Sequence, residues 1–587
     1  MKLKLFAGLL AVLTIVGVIP ASAQEPHHSR ITVLHPGFDS LKDDLKSVLD
    51  LTTEAEQTQW DNLRDYIDTL QIGVDGSRPV RVDVLTGVTP SSYLVWVPLM
   101  KPENAKGNIA DDFRDSMEAF GYETERDTKD RTLYRIRGEE GTPDTGWFRV
   151  LPEIEYGIFV LTTNEKDMNL LKQVVLKAGD PLTDLSDLKS ASQSMGAEIV
   201  NNNESADDQA KRLSAFGPFR KETLGTIQKR PDESEAAFKL RHDFIDQQLD
   251  ELQRLLVEAK TIRAFANLDR ETKKSSLSFS AKAIEGTSLA DTIAQLATKP
   301  DAFASVPRME GSALSLRVNH PIDSMRQENS IETVVNMEAD FNETIDKATN
   351  LSADEKTTAK KFLKDILDLT QDGIRTGYIN LMVEAVADDN DEFTIVAAVS
   401  ATKATRLNTI LPELAKAGKG NTVEVNVATQ GDVTIHRIQL AEGFVNLVDR
   451  VFGVKQDLFV GVTEDYVWLA SGPGALDKLK ATISQVGEPV TTSTVIHAEG
   501  NLLPWMKRLD KIAATAPEGK TPEEKEAKRS RDRMRARAIA AFESSDAVTI
   551  DVKVTDGVVE GLATFDVGMM KFAGKAISAF SKENLNE

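Results

Sequence analysis

The stretch LTTEAEQTQWDNLRDYIDTLQIG, residues 51–73, is echoed by LSADEKTTAKKFLKDILDLTQDG, residues 351–373. At one fixed offset Leu51, Leu63, Asp65, Asp68, Gln71 and Gly73 face Leu351, Leu363, Asp365, Asp368, Gln371 and Gly373, with Arg64 opposite Lys364 and Ile67 opposite Leu367. An internal duplication explains the length of the chain as two copies of one architecture.

Working outward, each copy opens on a short strand that ends in His-Pro, at His35-Pro36 and His320-Pro321, followed by Asp39-Ser40 and Asp323-Ser324. Those pairs suit the N-cap of the next helix, because a short oxygen-bearing side chain accepts from the first free backbone N–H groups. The spacing from His-Pro to the matched segments predicts about fifteen extra residues in the first helix of copy two. Ser352 and Glu355 have the spacing of a capping box.

Period-two alternation then predicts hairpins: Val80, Val82 and Val84 with Tyr93 to Val97, turning at Gly87, and Tyr378 to Val386 with Phe393 to Val399. Amphipathic helices follow, lined by Ile109, Phe113, Met117 and Phe120 and by Leu407, Ile410, Leu411 and Leu414, with Gly121 and Gly418 as stops. Thr132 to Ile136 matches Thr434 to Ile438, Phe159 to Thr162 matches Trp468 to Ser471, and Ala197-Glu198 matches Ala498-Glu499. Long helical regions and a closing hairpin and helix complete each copy. Asp556-Gly557 marks the last turn. Hairpins followed by helices predict an α+β fold of two tandem copies, each a strand–helix–hairpin–helix unit with an antiparallel sheet covered by helices. The copies span 31–300 and 308–587, with a junction where Lys299-Pro300 and Pro307 interrupt the pattern.

The first residues read as an export signal. Lys2 and Lys4 precede an apolar run from Leu5 to Ile19, Pro20 breaks it, and Ala21-Ser22-Ala23 offers a small-x-small cleavage site. The run falls short of the roughly 20 residues a spanning helix needs. Residues 1–23 are then a signal peptide, 24–30 a flexible tail, and the product is periplasmic or secreted, without stable membrane insertion. Loss of the two lysines takes the formal charge from −22 to −24. An acidic chain repels nucleic acid and anionic membranes. There is no cysteine, which excludes disulfides, thiolate metal sites, a thiol nucleophile and a lipobox.

The chemistry-bearing candidates each have a structural reading. His27-His28 belongs to the tail. His35 and His320 occupy matched strand ends and are expected to bond backbone, whereas His436 is matched by Tyr134, and His242 and His497 stand alone. No HExxH, GxSxG or SxxK occurs. Gly472-Pro473-Gly474 precedes a helix but faces Thr163-Asn164-Glu165 in copy one, so it reads as a turn. The cluster 388–392 lacks the spacing of a calcium loop and reads as a hairpin tip. The basic run Lys528, Arg529, Arg531, Arg533, Arg535 and Arg537 reads as locally paired. Phe238, Ile245, Leu249, Leu252 and Leu256 have near-heptad spacing that suits packing within the chain. No catalytic, cofactor-binding or metal residue is assigned, and no cofactor is expected.

By its signal segment, its lack of cysteine and the repeated His-Pro and 51/351 segments, the chain resembles uncharacterised exported bacterial proteins built from duplicated α+β units. That resemblance implies no activity. The expected function is non-catalytic binding or scaffolding toward an unknown ligand or envelope protein. The alternatives are an exported hydrolase with an unrecognised site and an envelope chaperone that would present a broad apolar sheet face. N-terminal sequencing of the protein from its native host should begin at Gln24, and a membrane fraction retaining Met1 would contradict the export reading.

Overall fold

In the computed structural model the described residues are 29–585 apart from 72, 86–91, 102–108, 120–121, 138–144, 163–166, 183–184, 186–187, 189–193, 202–203, 231–232, 297, 350, 417–420, 440–456, 516–520 and 544. The signal segment, His27-His28, Gly87, Phe120, Gly121, Thr163-Asn164-Glu165 and Gly418 lie outside them. Helix and antiparallel strand are mixed throughout, as an α+β fold requires. The chain packs as two compact units. Unit one holds the residues up to Gly225, Leu252–Leu289, and those from Met570 onward; unit two holds Thr226–Glu251 and Ala290–Met569.

Unit one carries β1 (Ser29–His35), β2 (Val80–Leu85), β3 (Ser92–Pro98), β4 (Glu123–Arg126), β5 (Leu133–Arg137), β6 (Thr145–Leu151), β7 (Tyr156–Thr162), β8 (Met195–Asn201), β9 (Ala259–Asp269) and β10 (Lys274–Ala283). They pair antiparallel in the order β10-β9-β8-β1-β2-β3-β7-β6-β5-β4. Helices α1 (Phe38–Leu49), α2 (Trp60–Leu70), α3 (Ile109–Ala119) and α4 (Met168–Lys177) cover this array, followed by α5 (Ala206–Gly225) and α6 (Glu235–Glu258). Sheet pleating sends alternate side chains to opposite faces. On one face Val33, Val82 and Val95 are buried beneath Phe38, Leu41, Leu45 and Ile67 of α1 and α2. On the other Leu94, Trp96, Ile158 and Val160 meet Leu171 and Val175 of α4.

Unit two carries β11 (Ser312–Pro321), β12 (Tyr378–Ala387), β13 (Phe393–Ser400), β14 (Thr422–Gln430), β15 (Val433–Gln439), β16 (Leu458–Val462), β17 (Tyr466–Ser471), β18 (Thr494–Asn501), β19 (Ala547–Thr555) and β20 (Val558–Phe565). Their order is β20-β19-β18-β11-β12-β13-β17-β16-β15-β14, all antiparallel. Its helices are α7 (Ser324–Lys347), α8 (Ala353–Arg375), α9 (Leu407–Leu414), α10 (Ala475–Ile483), α11 (Leu502–Ala514) and α12 (Pro522–Phe542). On the face carrying Met382, Val396, Ala398, Trp468 and Ala470, all buried, Leu479 of α10 completes a closed core. Phe303 and Val306, from the segment that reads as a junction in the sequence, also belong to that core. Asn319 and Asn380 fix the same segment by binding Lys299 O and the Asp301 carboxylate.

The opposite face of unit two is aliphatic but only partly covered. One cross-strand row runs Val552, Ile496, Val318, Leu381, Val399, Val467; the next runs Ile550, Ala498, Leu316, Val383, Ala397, Leu469. None of these twelve reaches burial, and Ile550 and Leu469 are 40% and 37% exposed. At one side Phe362, Ile366 and Leu369 of α8 pack with Val460 and Val467. At one strand end Trp505 of α11 packs with Leu314, Ile395 and Phe393.

The caps and matched helices test the local sequence signals. Asp323 caps α7 by accepting from Arg326 N at 3.0 Å, and the Ser352/Glu355 box caps α8. Asp39 is no cap: α1 starts at Phe38 with Gly37 as its N-cap. Gly37 has φ 138° and lies so close to Gly76 O that a side chain would collide, which leaves glycine the residue able to start that helix. Helix α7 is twelve residues longer than α1. Leu63 is buried, whereas its match Leu363 is half-buried. In α8 Leu367, the match of buried Ile67, is buried as well, and Ala359, Phe362, Ile366 and Leu369 form the stripe packed with Val460 and Val462. Strands β4, β6 and β16 carry too weak an alternation to be read from the sequence, and β14, where Val423, Val425 and Val427 alternate with Glu424 and Asn426, is a strand the sequence reading leaves out.

At the centre of each array a buried carboxylate is held by a hydroxyl and an arginine. In unit one Asp83 accepts from Thr32 Oγ1 at 2.8 Å and from Arg81 Nε and Nη2 at 2.8 and 2.7 Å. In unit two Glu384 accepts from Ser315 Oγ at 2.6 Å, Ser312 Oγ at 2.7 Å and Arg317 Nη2 at 2.8 Å. Removing one member of such a buried pair strands the other charge, at a cost of about 3–5 kcal/mol. Glu384→Leu should therefore lower unfolding free energy by about that amount. The Arg317→Met/Glu384→Leu double variant should recover the charge part and retain a deficit of about 1 kcal/mol for the Ser315 hydroxyl left without its acceptor, since Ser312 Oγ also reaches Leu314 O. Denaturant titration of Arg317→Met, Glu384→Leu and the double variant checks the cycle.

Candidate functional site

The described histidines are engaged by their own surroundings. His35 Nδ1 accepts from Gly37 N at 3.1 Å, and His320 Nδ1 donates to Pro321 O. The matched imidazoles thus use the same nitrogen in opposite senses, one as acceptor and one as donor. His436 is buried in β15; its Nε2 bonds Asn408 Oδ1 at 2.8 Å and its Nδ1 faces Asn426 N at 3.4 Å. Asn426 has φ 56° and sits where β14 breaks register, so the imidazole receives the backbone of a bulge. His242 lies 3.6 Å from Asp243 on α6.

His497 is the most polar of the set. Its Nδ1 lies 2.7 Å from Asp551 Oδ1 and its Nε2 lies 3.2 Å from Glu499 Oε1. Glu499 also binds Arg308, whose guanidinium reaches Ser312 O and Asn501 Oδ1. Arg308, Ser312, Asn501, Leu503, Pro504 and Asp546 line an adjoining groove of about 580 Å³ within unit two. Asp546 is committed there, accepting from Asn501 Nδ2 at 2.8 Å and Leu503 N at 2.7 Å. The groove mixes polar and apolar lining, and its polar groups are tied to one another. Sequence reasoning missed it because Arg308, Asn501 and Asp546 are far apart in the chain and form no motif.

The remaining candidates also resolve into structure. Asp388 Oδ1 accepts from Asn390 N and Glu392 N at 2.9 and 2.8 Å, and Asp391 pairs with Lys511, so the carboxylates of this tip do not converge. Gly472 lies against Phe393 O and Thr394, where a Cβ would meet backbone at 2.4 Å. That close approach accounts for the glycine before α10. Arg533 pairs with Glu526 and Arg535 with Asp510 and Asp532. The first part of α6 packs within unit two along α7 through Lys239–Asn336, Gln247–Thr333 and Arg326–Glu251 contacts. Among the described residues no group of three His, Asp or Glu could hold a metal ion. None of the described helices is long and apolar enough to cross a membrane.

No family model matches the chain, and no curated protein does. One solved structure that matches, titled "Structure of crystal form I of TP0453", is 9% identical, covers 45% of this chain and 77% of that one, and gives a TM-score of 0.19. A likeness of that size carries no argument about fold or function.

Burial holds the imidazoles of His35, His320 and His436 below the usual histidine value. The unfolded chain then binds protons first as pH falls, so this contribution to stability is present above about pH 6.5 and declines as pH drops toward the folded values. Melting temperature should fall between pH 7 and pH 5, and His436→Gln should flatten the slope. A melting temperature independent of pH over that interval would contradict the burial of these rings.

Proposed function

We propose that the chain is an exported, non-catalytic binding or scaffold protein built from two units of common descent. The common strand order of the two arrays supports the duplication, together with the matched 51/351 helices and His-Pro strand ends. The observation that carries the binding reading is the contrast within unit two. One sheet face is a closed core, and the other presents two aliphatic rows that stay partly exposed. A monomer gains stability by burying such a surface, so leaving it half-open favours a ligand that completes the burial.

The hydrolase alternative draws less support. A general base needs a ring nitrogen within reach of a nucleophile's proton. Here Nδ1 of His35 and His320 is engaged by backbone, and both nitrogens of His436 and His497 already face Asn or carboxylate partners. The chaperone alternative draws on the same open face. Mass spectrometry of the protein purified under native conditions from its host should reveal a co-purifying ligand that is lost on denaturation. Turnover of ester or peptide substrates abolished by His497→Gln, with no ligand bound, would replace the binding reading with the enzyme.

A further inference from the structure

We infer that the open face of unit two binds the aliphatic chains of a lipid without net charge, an inference that rests on the binding reading. The first support is the chemistry of the two rows. All twelve side chains from Val552 to Val467 and from Ile550 to Leu469 are aliphatic, and they offer no donor or acceptor. Their strands are inner strands of the array, or paired along the rows, so the backbone groups beneath them are already used within the sheet. A polypeptide laid on this floor would bring N–H and C=O groups that find no partner, and burying them unpaired is costly. A hydrocarbon chain brings none.

The dimensions agree. Six strands spaced about 4.8 Å apart give a floor roughly 24 Å across. The packing of α8 at β16–β17 and of Trp505 at the strand end bounds it on two sides. Charge selects among lipids. The rows contain no lysine or arginine, and the chain is strongly acidic at −22. An anionic head group would meet no counter-charge within these rows and would be repelled at long range by the acidic chain.

Unit one shows the centre of such a face closed. There the corresponding central residues Val33, Val82 and Val95 are buried under Phe38, Leu41, Leu45 and Ile67. In unit two the first helix, α7, is twice as long and is engaged along one side by polar contacts to α6. At the centre of the face Val318, Leu381 and Val399 of unit two keep partial exposure where Val33, Val82 and Val95 of unit one are buried.

The test uses the full chain as exported and the uncharged fluorescent probe N-phenyl-1-naphthylamine. Saturable binding is expected, with displacement by phosphatidylcholine and much weaker displacement by oleate or by an unfolded, reduced polypeptide. Ala397→Phe adds apolar bulk within the second row, between Val383 and Leu469. By displacing two or so methylene contacts it should weaken probe and phosphatidylcholine binding about tenfold or more while the melting temperature is retained. Leu469→Trp, at the exposed end of that row, serves the same purpose should Ala397→Phe fail to fold. Unchanged binding in the folded variant overturns the inference. Displacement by polypeptide and not by phosphatidylcholine overturns it in favour of a client-holding face. A polar co-purified ligand, with no probe binding at the rows, would sink this inference and leave the binding reading standing.

Discussion

Each array is organised around a buried charge that must find its partner. Thr32, Asp83 and Arg81 in unit one, and Ser315, Glu384 and Arg317 in unit two, sit on the two central strands with little or no solvent access. Alternation of apolar side chains already forbids a one-residue slip, because that would turn the core face outward. It does not forbid a two-residue slip, which preserves the faces. In unit two the carboxylate does, since such a slip would part Glu384 on β12 from Arg317 and Ser315 on β11; in unit one, where Arg81 and Asp83 share β2, it would cost Asp83 the Thr32 hydroxyl of β1. Hydrophobic pattern and buried charge thus fix different parts of the register, and the flanking strands and helices assemble on the result.

The two pins are built differently. In unit one the arginine comes from β2, two residues before the aspartate; in unit two it comes from β11, two residues after the serine. The short sequence matches record the same offset. Aligning His35 with His320 places Thr32 over Arg317, while aligning Glu198 with Glu499 places Thr32 over Ser315 in the pairing registers. The difference of two residues keeps every face, and unit two has register breaks beside Ser312 and Thr494 that can absorb it. Polar residues therefore exchange roles between the units while the arrangement of strands is retained.

That exchange bears on function. The polar groups one would search for chemistry are largely consumed in holding the fold: the carboxylates at the array centres, the imidazoles that receive turns and bulges, and the Arg308–Glu499–Asn501 chain beside the groove. What remains distinctive is apolar. On the same strand order, helices bury the central Val33, Val82 and Val95 of unit one, while the matching residues of unit two stay partly exposed.

The sequence by itself determined the mixed α+β character, most hairpins, the caps at Asp323 and Ser352, and the absence of thiol chemistry, because these depend on residues a few positions apart. Alternation, cap spacing and glycine at turns are local, and they survive without knowledge of the rest of the chain. Only the tertiary structure decided which strands are neighbours, that Phe303 and Val306 of the apparent junction enter a core, that Leu363 is only half-buried where Leu63 is buried, and that Gly37 rather than Asp39 starts α1. It alone brought Arg308, Asn501 and Asp546 to one groove and left two aliphatic rows partly uncovered. The physical reason is that burial and charge pairing are properties of contacts between distant segments, and an apolar residue carries the same local signal whether a helix covers it or not.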